Sequence, residues 1–143
     1  TEIIMTIEEI MEMWGKDSHI DDNDLDNESL NIPNKHQKYL DIYSKEKRKM
    51  SDLETHWKVL FQQRWEVVIS KNGKAPDHNI RISKTELERH YVGADEVLQK
   101  AEKIMNEQKG KIDYLKSVLS MIENRSFHIN NAINWRKFVA GLG

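Results

Sequence analysis

The sequence predicts a mainly α-helical protein whose long helices carry heptad-like stripes. Two stretches, 34–71 and 95–123, place apolar residues at three-four spacing. The first contains neither proline nor glycine, the residues that oppose helices most strongly. Two capping-box patterns, Thr6-Ile7-Glu8-Glu9 and Ser83-Lys84-Thr85-Glu86, mark further helix starts.

Thr6 and Glu9 are expected to satisfy free amides reciprocally at the start of a short helix. Its Ile7, Ile10, Met11 and Trp14 share one face, and Gly15 is expected to end it. The acidic stretch Asp21-Asp22-Asn23-Asp24 is positioned to cap a second short helix over 25–30. Pro33 suits a helix start, so the first long helix is expected to begin there. With Tyr43 at heptad position a, Met50, Trp57 and Arg64 fall at later a positions. Leu53, Leu60 and Val67 then occupy d, with Glu46 as the one polar d residue. Lys45, Lys47, Arg48 and Lys49 lie between the apolar positions.

Asn72-Gly73-Lys74-Ala75-Pro76-Asp77 reads as a loop, and Asn79-Ile80-Arg81-Ile82 as a short extended strand near 78–82. A helix is expected from Ser83 through Tyr91, with a bend at Gly93. In the second long helix Ala101, Ile104, Leu115, Val118 and Ile122 hold a and d positions, while Met105, Ile112 and Leu119 widen the stripe. Gln108 and Lys111 interrupt it, and Gly110 weakens it by about 1 kcal/mol relative to alanine. Asn124-Arg125-Ser126-Phe127 reads as a turn before a last helix starting near Asn130 or Asn131. That helix carries Ala132, Ile133, Trp135, Phe138 and Val139, and Gly141 and Gly143 end it. The expected organisation is one helical domain, 1–143: an acidic region (1–32), a basic long helix and loop (33–74), and C-terminal helices for packing and oligomerisation (83–143).

Composition narrows the function. Hydrophobic residues are 38% and charged residues 32% of the chain, a balance that covers apolar surface poorly in a small lone domain. Part of that surface is therefore expected to be buried between subunits. There is no cysteine, which excludes disulfides, thiolate metal sites and cysteine nucleophiles. No apolar run approaches the ~20 residues of a membrane span. Residues 1–13 lack a basic n-region and carry four glutamates, so they do not read as a signal peptide. A soluble, intracellular protein is the expectation.

The six histidines form no i, i+4 pair and no H-E-x-x-H, so no zinc site is expected. A calcium loop counted from Asp21 would need glycine at its sixth position and glutamate at its twelfth, where Asp26 and Ile32 stand. Neither a phosphate-binding G-x-x-x-x-G-K-[ST] nor a G-x-S-x-G elbow occurs. The chain is therefore expected to be non-enzymatic, with no catalytic residue, metal or cofactor.

Charge is unevenly spread. Residues 1–32 hold ten acidic side chains against Lys16 alone, while 33–74 hold ten basic against five acidic. Either a polyanion-binding surface lies beside an acidic arm, or the two blocks attract each other within the fold. Around Trp57-Lys58-Val59-Leu60-Phe61-Gln62-Gln63-Arg64-Trp65, the cations Lys58, Arg64, Lys71 and Lys74 accompany Trp65. Single strands are held by cations on phosphates and aromatic faces under bases. Those five residues form the candidate DNA-binding set. The competing account makes Trp57, Phe61 and Trp65 core, with Arg64 a structural seam residue and the lysines a solvated coat.

Phe61-Gln62-Gln63-Arg64-Trp65-Glu66-Val67-Val68 resembles the Leu-Lys-Ala-Arg-Leu-Asp-Tyr-Tyr DNA-binding motif of the UvsY family, the recombination mediators of T-even-like phages. Arg64 matches the motif arginine, Glu66 stands for its aspartate, and Gln62 stands where its lysine is expected. Ile122-Glu123-Asn124-Arg125-Ser126-Phe127-His128-Ile129 and Trp135-Arg136-Lys137-Phe138-Val139-Ala140-Gly141 are similar to the family's Ile-Lys-Ser-Arg-Gly-Phe-Ala-Ile and Met-Arg-Ala-Phe-Glu-Ala-Gly. Residues 1–4 lie outside the resemblance. It implies a ring-like homo-oligomer, hexamer or heptamer, that binds single-stranded DNA without sequence preference. It implies two further partners, the phage recombinase UvsX and the phage single-stranded DNA-binding protein, in the cytoplasm of an infected bacterial host. A helical coiled-coil adaptor binding only protein is the alternative class.

Overall fold

The computed structural model describes residues 5–72 and 93–141, with side chains over 5–67 and 93–141. The described residues form α1 (Ile7–Asp17), α2 (Leu25–Leu30), α3 (Ile32–Asn72), α4 (Glu96–Glu123) and α5 (Arg125–Val139), with no strand among them. The expected loop from Gly73 onward, the strand near 78–82 and the helix from Ser83 through Tyr91 lie outside the described residues. Contacts divide the chain into two compact units: residues 1–46 with 111–143, and residues 47–110. One boundary falls within α3 and the other within α4.

The first unit is built on a cap. Thr6 Oγ1 accepts the amide of Glu9 at 3.2 Å, which satisfies one of the free donors of the first turn of α1. Ile10 and Trp14, one turn apart, are buried with Tyr39 of α3 and with Leu115, Val118, Leu119 and Ile122 of α4. The Trp14 and Tyr39 rings meet edge to face, 5.4 Å apart at 86°, the arrangement their quadrupoles favour.

Gly15 does not end α1, which continues to Asp17. The ~1 kcal/mol cost of an interior glycine is outweighed by the position the extra residues give Asp17. Its Oδ2 accepts the Tyr39 hydroxyl at 2.8 Å and Lys38 Nζ at 2.7 Å. Burial pushes the Asp17 carboxyl up, but hydrogen bonds from Lys38 and Tyr39 and the charges of Lys38 and Lys35 outweigh it, leaving the group below the usual carboxylate range. Burial, and then Asp17 itself, push the Tyr39 phenol up, so it stays a donor.

Arg125 fastens the end of α1 to α2 and α5. It is 3% exposed. Nη1 donates to the carbonyls of Asp17 (3.2 Å) and Ser18 (3.3 Å). Nη2 donates to the carbonyl of His19 (2.8 Å) and to Glu28 Oε2 of α2 (2.9 Å). The carbonyls at a helix C-terminus have no partner within the helix; here the guanidinium serves that of Asp17, together with Lys35 Nζ at 3.1 Å, and the two carbonyls that follow it. This network also explains why α5 begins at Arg125 rather than near Asn130: the expected turn shrinks to Asn124, the N-cap.

Two further expectations are corrected. The acidic stretch does not cap α2 through a side chain. Asp24 sits at the N-cap but accepts the Asn27 side-chain amide at 2.9 Å, while Asp21 Oδ1 accepts the Asn23 amide at 3.0 Å. In α4, Ile104 is 52% exposed, whereas Gln108, expected to interrupt the stripe, is buried. Positions 98, 101, 105, 108, 112, 115, 119 and 122 face inward in an unbroken alternation of three and four, with Val118 buried beside them. Expectation and structure agree in α3, where Tyr43, Met50, Trp57, Arg64, Leu53, Leu60 and Val67 are half-buried and Glu46 is buried. Lys111, a second expected interruption, lies 3.3 Å from Glu46 and balances its buried charge.

Candidate nucleic-acid interface

The second unit contains the stretch of α3 that the sequence singles out. Trp57, Phe61 and Trp65 recur every four residues, so consecutive rings lie along one flank of the helix. Trp57 and Phe61 stack at 5.0 Å and 24°, Phe61 and Trp65 at 6.4 Å and 10°. With Leu60 they pack on Leu98 of α4, which is 4% exposed. All three rings are half-buried. The ladder therefore serves as packing and still leaves aromatic surface at its edge. The Trp57 indole Nε1 is buried without a hydrogen-bond partner.

Each candidate DNA-binding residue has a different setting. Lys58 is exposed and forms no ion pair among the described residues. It shares heptad position b with Trp65, two turns on and about 10.5 Å along the axis. Arg64 turns toward α4. Its Nε and Nη2 donate to Asp95 Oδ2 at 2.8 and 2.7 Å. The Arg64 side chain is 32% exposed and that of Asp95 is 7% exposed. Gln62, at the position of the motif lysine, is exposed and donates to Glu66 at 3.4 Å. Lys71 belongs to α3 with its side chain outside the described residues, and Lys74 lies outside them altogether.

Asp95, outside the candidate set, is the partner that fixes Arg64. Its Oδ1 accepts the amides of Val97 (2.9 Å) and Leu98 (3.2 Å), capping α4. The Arg64 hydrogen bond holds its carboxyl below the usual carboxylate range, with burial opposing and the Leu98 and Val97 amides assisting. An aspartate just before a helical run is a cap signal, so half of its role was legible. Its pairing with a residue 31 positions away was not.

Among the described residues no group of three histidine, aspartate or glutamate side chains could hold a metal. No described helix is long and apolar enough to cross a membrane. Among the described residues, the second unit offers an unpaired cation, a restrained cation and an aromatic edge, groups of the kind that contact a flexible polyanion.

The family described as "Recombination, repair and ssDNA binding protein UvsY" matches residues 13–142. The chain belongs to the UvsY family. Two solved structures of the bacteriophage T4 recombination mediator protein UvsY share its fold. One superimposes with a TM-score of 0.82 at 24% identity, covering 96% of this chain and 99% of that one. The other gives 0.75 at 23% identity, covering 94% and 98%. No curated protein matches this chain.

UvsY-family resemblance at the C-terminus falls on a second unusual surface, in the first unit. Ile129 of α5 is buried and Ala132 and Ile133 are half-buried. Phe127, Trp135, Phe138 and Val139 are instead about two-thirds exposed, and the Trp135 and Phe138 rings stack at 5.7 Å. These rings are apolar surface that the described residues of the chain leave uncovered.

Proposed function

We propose that this chain is a recombination mediator that binds single-stranded DNA without sequence preference and helps load a phage recombinase, of the UvsX kind, onto strands covered by the phage single-stranded DNA-binding protein. Membership of the UvsY family across residues 13–142 is the observation that carries this reading. The similarity in fold to the T4 recombination mediator supports it. The DNA-binding set is Lys58, Arg64, Trp65, Lys71 and Lys74, presented by every subunit of a ring-like homo-oligomer, hexamer or heptamer. The exposed aromatic face of α5 supplies the apolar surface for self-association. Repetition matters because one chain has a formal net charge of −2. Weak contacts arrayed on one scaffold add through effective concentration without any new contact. Contacts to phosphate and to stacked bases read no sequence. The protein acts in the cytoplasm of the infected host, without catalysis or cofactor.

A loading assay tests the reading. Recombinase filaments are followed on strands precoated with the single-stranded DNA-binding protein. Addition of this chain is expected to shorten the lag before filaments appear. An unchanged lag, with normal binding of the chain to bare oligo(dT), would exclude the loading role while leaving DNA binding intact. The exposed face of α5 also fits a protein-only adaptor, for which oligo(dT) would leave tryptophan fluorescence unchanged.

A further inference from the structure

The geometry points to Asp95 as the residue that sets the strength of single-stranded DNA binding, by competing with DNA phosphate for the Arg64 guanidinium. This inference rests on the proposal that Arg64 meets DNA. A phosphate and a carboxylate present the same kind of acceptor to arginine, and each favours a two-pronged approach. Asp95 Oδ2 already occupies Nε and one hydrogen of Nη2, at 2.8 and 2.7 Å. A guanidinium carries five N–H groups, so three remain for another partner. The carboxylate beside it cancels most of the charge that would draw a phosphate there.

The pairing is built so that it can be exchanged. A buried aspartate stripped of its arginine is normally left as an uncompensated charge. Asp95 keeps two other donors, the amides of Val97 and Leu98. It also sits at the N-terminal end of α4, where the helix dipole favours negative charge. Arg64, at 32% exposure, lies at the surface end of the pair, and Asp95, at 7%, at the buried end. The arginine can therefore turn to a phosphate while the aspartate stays capped in place. With Gln62 engaged by Glu66 at 3.4 Å instead of a lysine there, Arg64 is the one cation of the 61–68 motif. The restraint on it therefore bears directly on affinity.

The test uses the full chain as it assembles, with oligo(dT) titrated across a salt series. Asp95→Asn keeps a capping oxygen and removes the charge. It is expected to bind about two- to fivefold more tightly at low salt, a range set by the arginine's end of the pair, which stays within reach of solvent. Its log-affinity slope against log salt is expected to steepen by about 0.7, one added phosphate contact. In the double variant Asp95→Asn, Arg64→Ala the gain is expected to vanish. Asp95→Ser, which also caps helices, is expected to repeat the result if the asparagine form folds poorly. A folded Asp95→Asn chain with unchanged or weaker binding overturns the proposal, as does a gain that survives loss of Arg64. Unfolding of both Asp95 variants overturns it too, because the pair is then a structural clamp. Failure of the unmodified chain to bind oligo(dT) refutes the DNA-binding reading itself, a result distinct from any change confined to the variants.

Discussion

Replacing Arg125 with methionine is expected to lower stability by about 3 kcal/mol, the low end of the cost of removing one partner from a buried charged pair. Methionine roughly keeps the length of the side chain and removes every donor. Four hydrogen bonds disappear, three to the carbonyls of Asp17, Ser18 and His19 and one to Glu28. Two circumstances hold the figure at the low end. Lys35 still lies 3.9 Å from Glu28, and its Nζ still donates to the Asp17 carbonyl at 3.1 Å. Glu28 is also 17% exposed and regains some water. For a chain of this size each kcal/mol moves the melting temperature by roughly 3 °C, so a fall of about 9 °C is expected. The assay is thermal unfolding by circular dichroism at one fixed protomer concentration, since assembly shifts the midpoint. Adding Glu28→Gln should recover about 1 kcal/mol, because a neutral amide left without the arginine is easier to bury. A melting temperature within about 2 °C of the unmodified chain would show that Arg125 does not hold α1, α2 and α5 together.

Three further outcomes follow from other parts of the structure. Asp17 and Asp95 have folded pKa values below the ordinary carboxylate range, so their stabilisation is complete above about pH 4 and is lost as pH falls through the folded values. Acid unfolding of Asp95→Asn is expected to have a shallower limb than the unmodified chain, and an identical limb would contradict the pairing. Lys58→Ala is expected to weaken oligo(dT) binding and flatten the salt slope by about 0.7 with no change in melting temperature; an unchanged slope would remove Lys58 from the interface. Trp135→Ala with Phe138→Ala is expected to lower the particle mass in light scattering while helical content persists, because both rings are exposed within one chain. An undiminished mass would place self-association elsewhere.

Periodicity made most of the fold legible. The a and d positions assigned from Tyr43 onward in α3 are all buried or half-buried, because a 41-residue helix with one inward stripe has one register that serves it. In α4 the same reasoning slipped at Ile104 and Gln108. Ile104 holds an a or d position by spacing, yet the inward face runs through Met105 and Gln108 instead, so the apolar residue is exposed and the polar one buried. Helix ends were harder. Gly15 and the 124–127 turn were judged on local propensity, yet Asp17 and Arg125 overrode it through partners 22 and 108 residues away. The candidate site was half legible for the same reason. Cations and aromatics stand out along a sequence, but whether each is free depends on residues elsewhere. Lys58 is free among the described residues, whereas Arg64 is held by Asp95.

Many copies of a weakly cationic helix edge are proposed to act together on one unpaired strand. Light scattering coupled to an oligo(dT) titration, at low and at several-hundred-millimolar salt, tests it most directly. The expected result is a particle of several subunits that binds at low salt with little preference among bases and releases the strand as salt rises. A lone protomer that leaves the oligonucleotide untouched at low salt would contradict it.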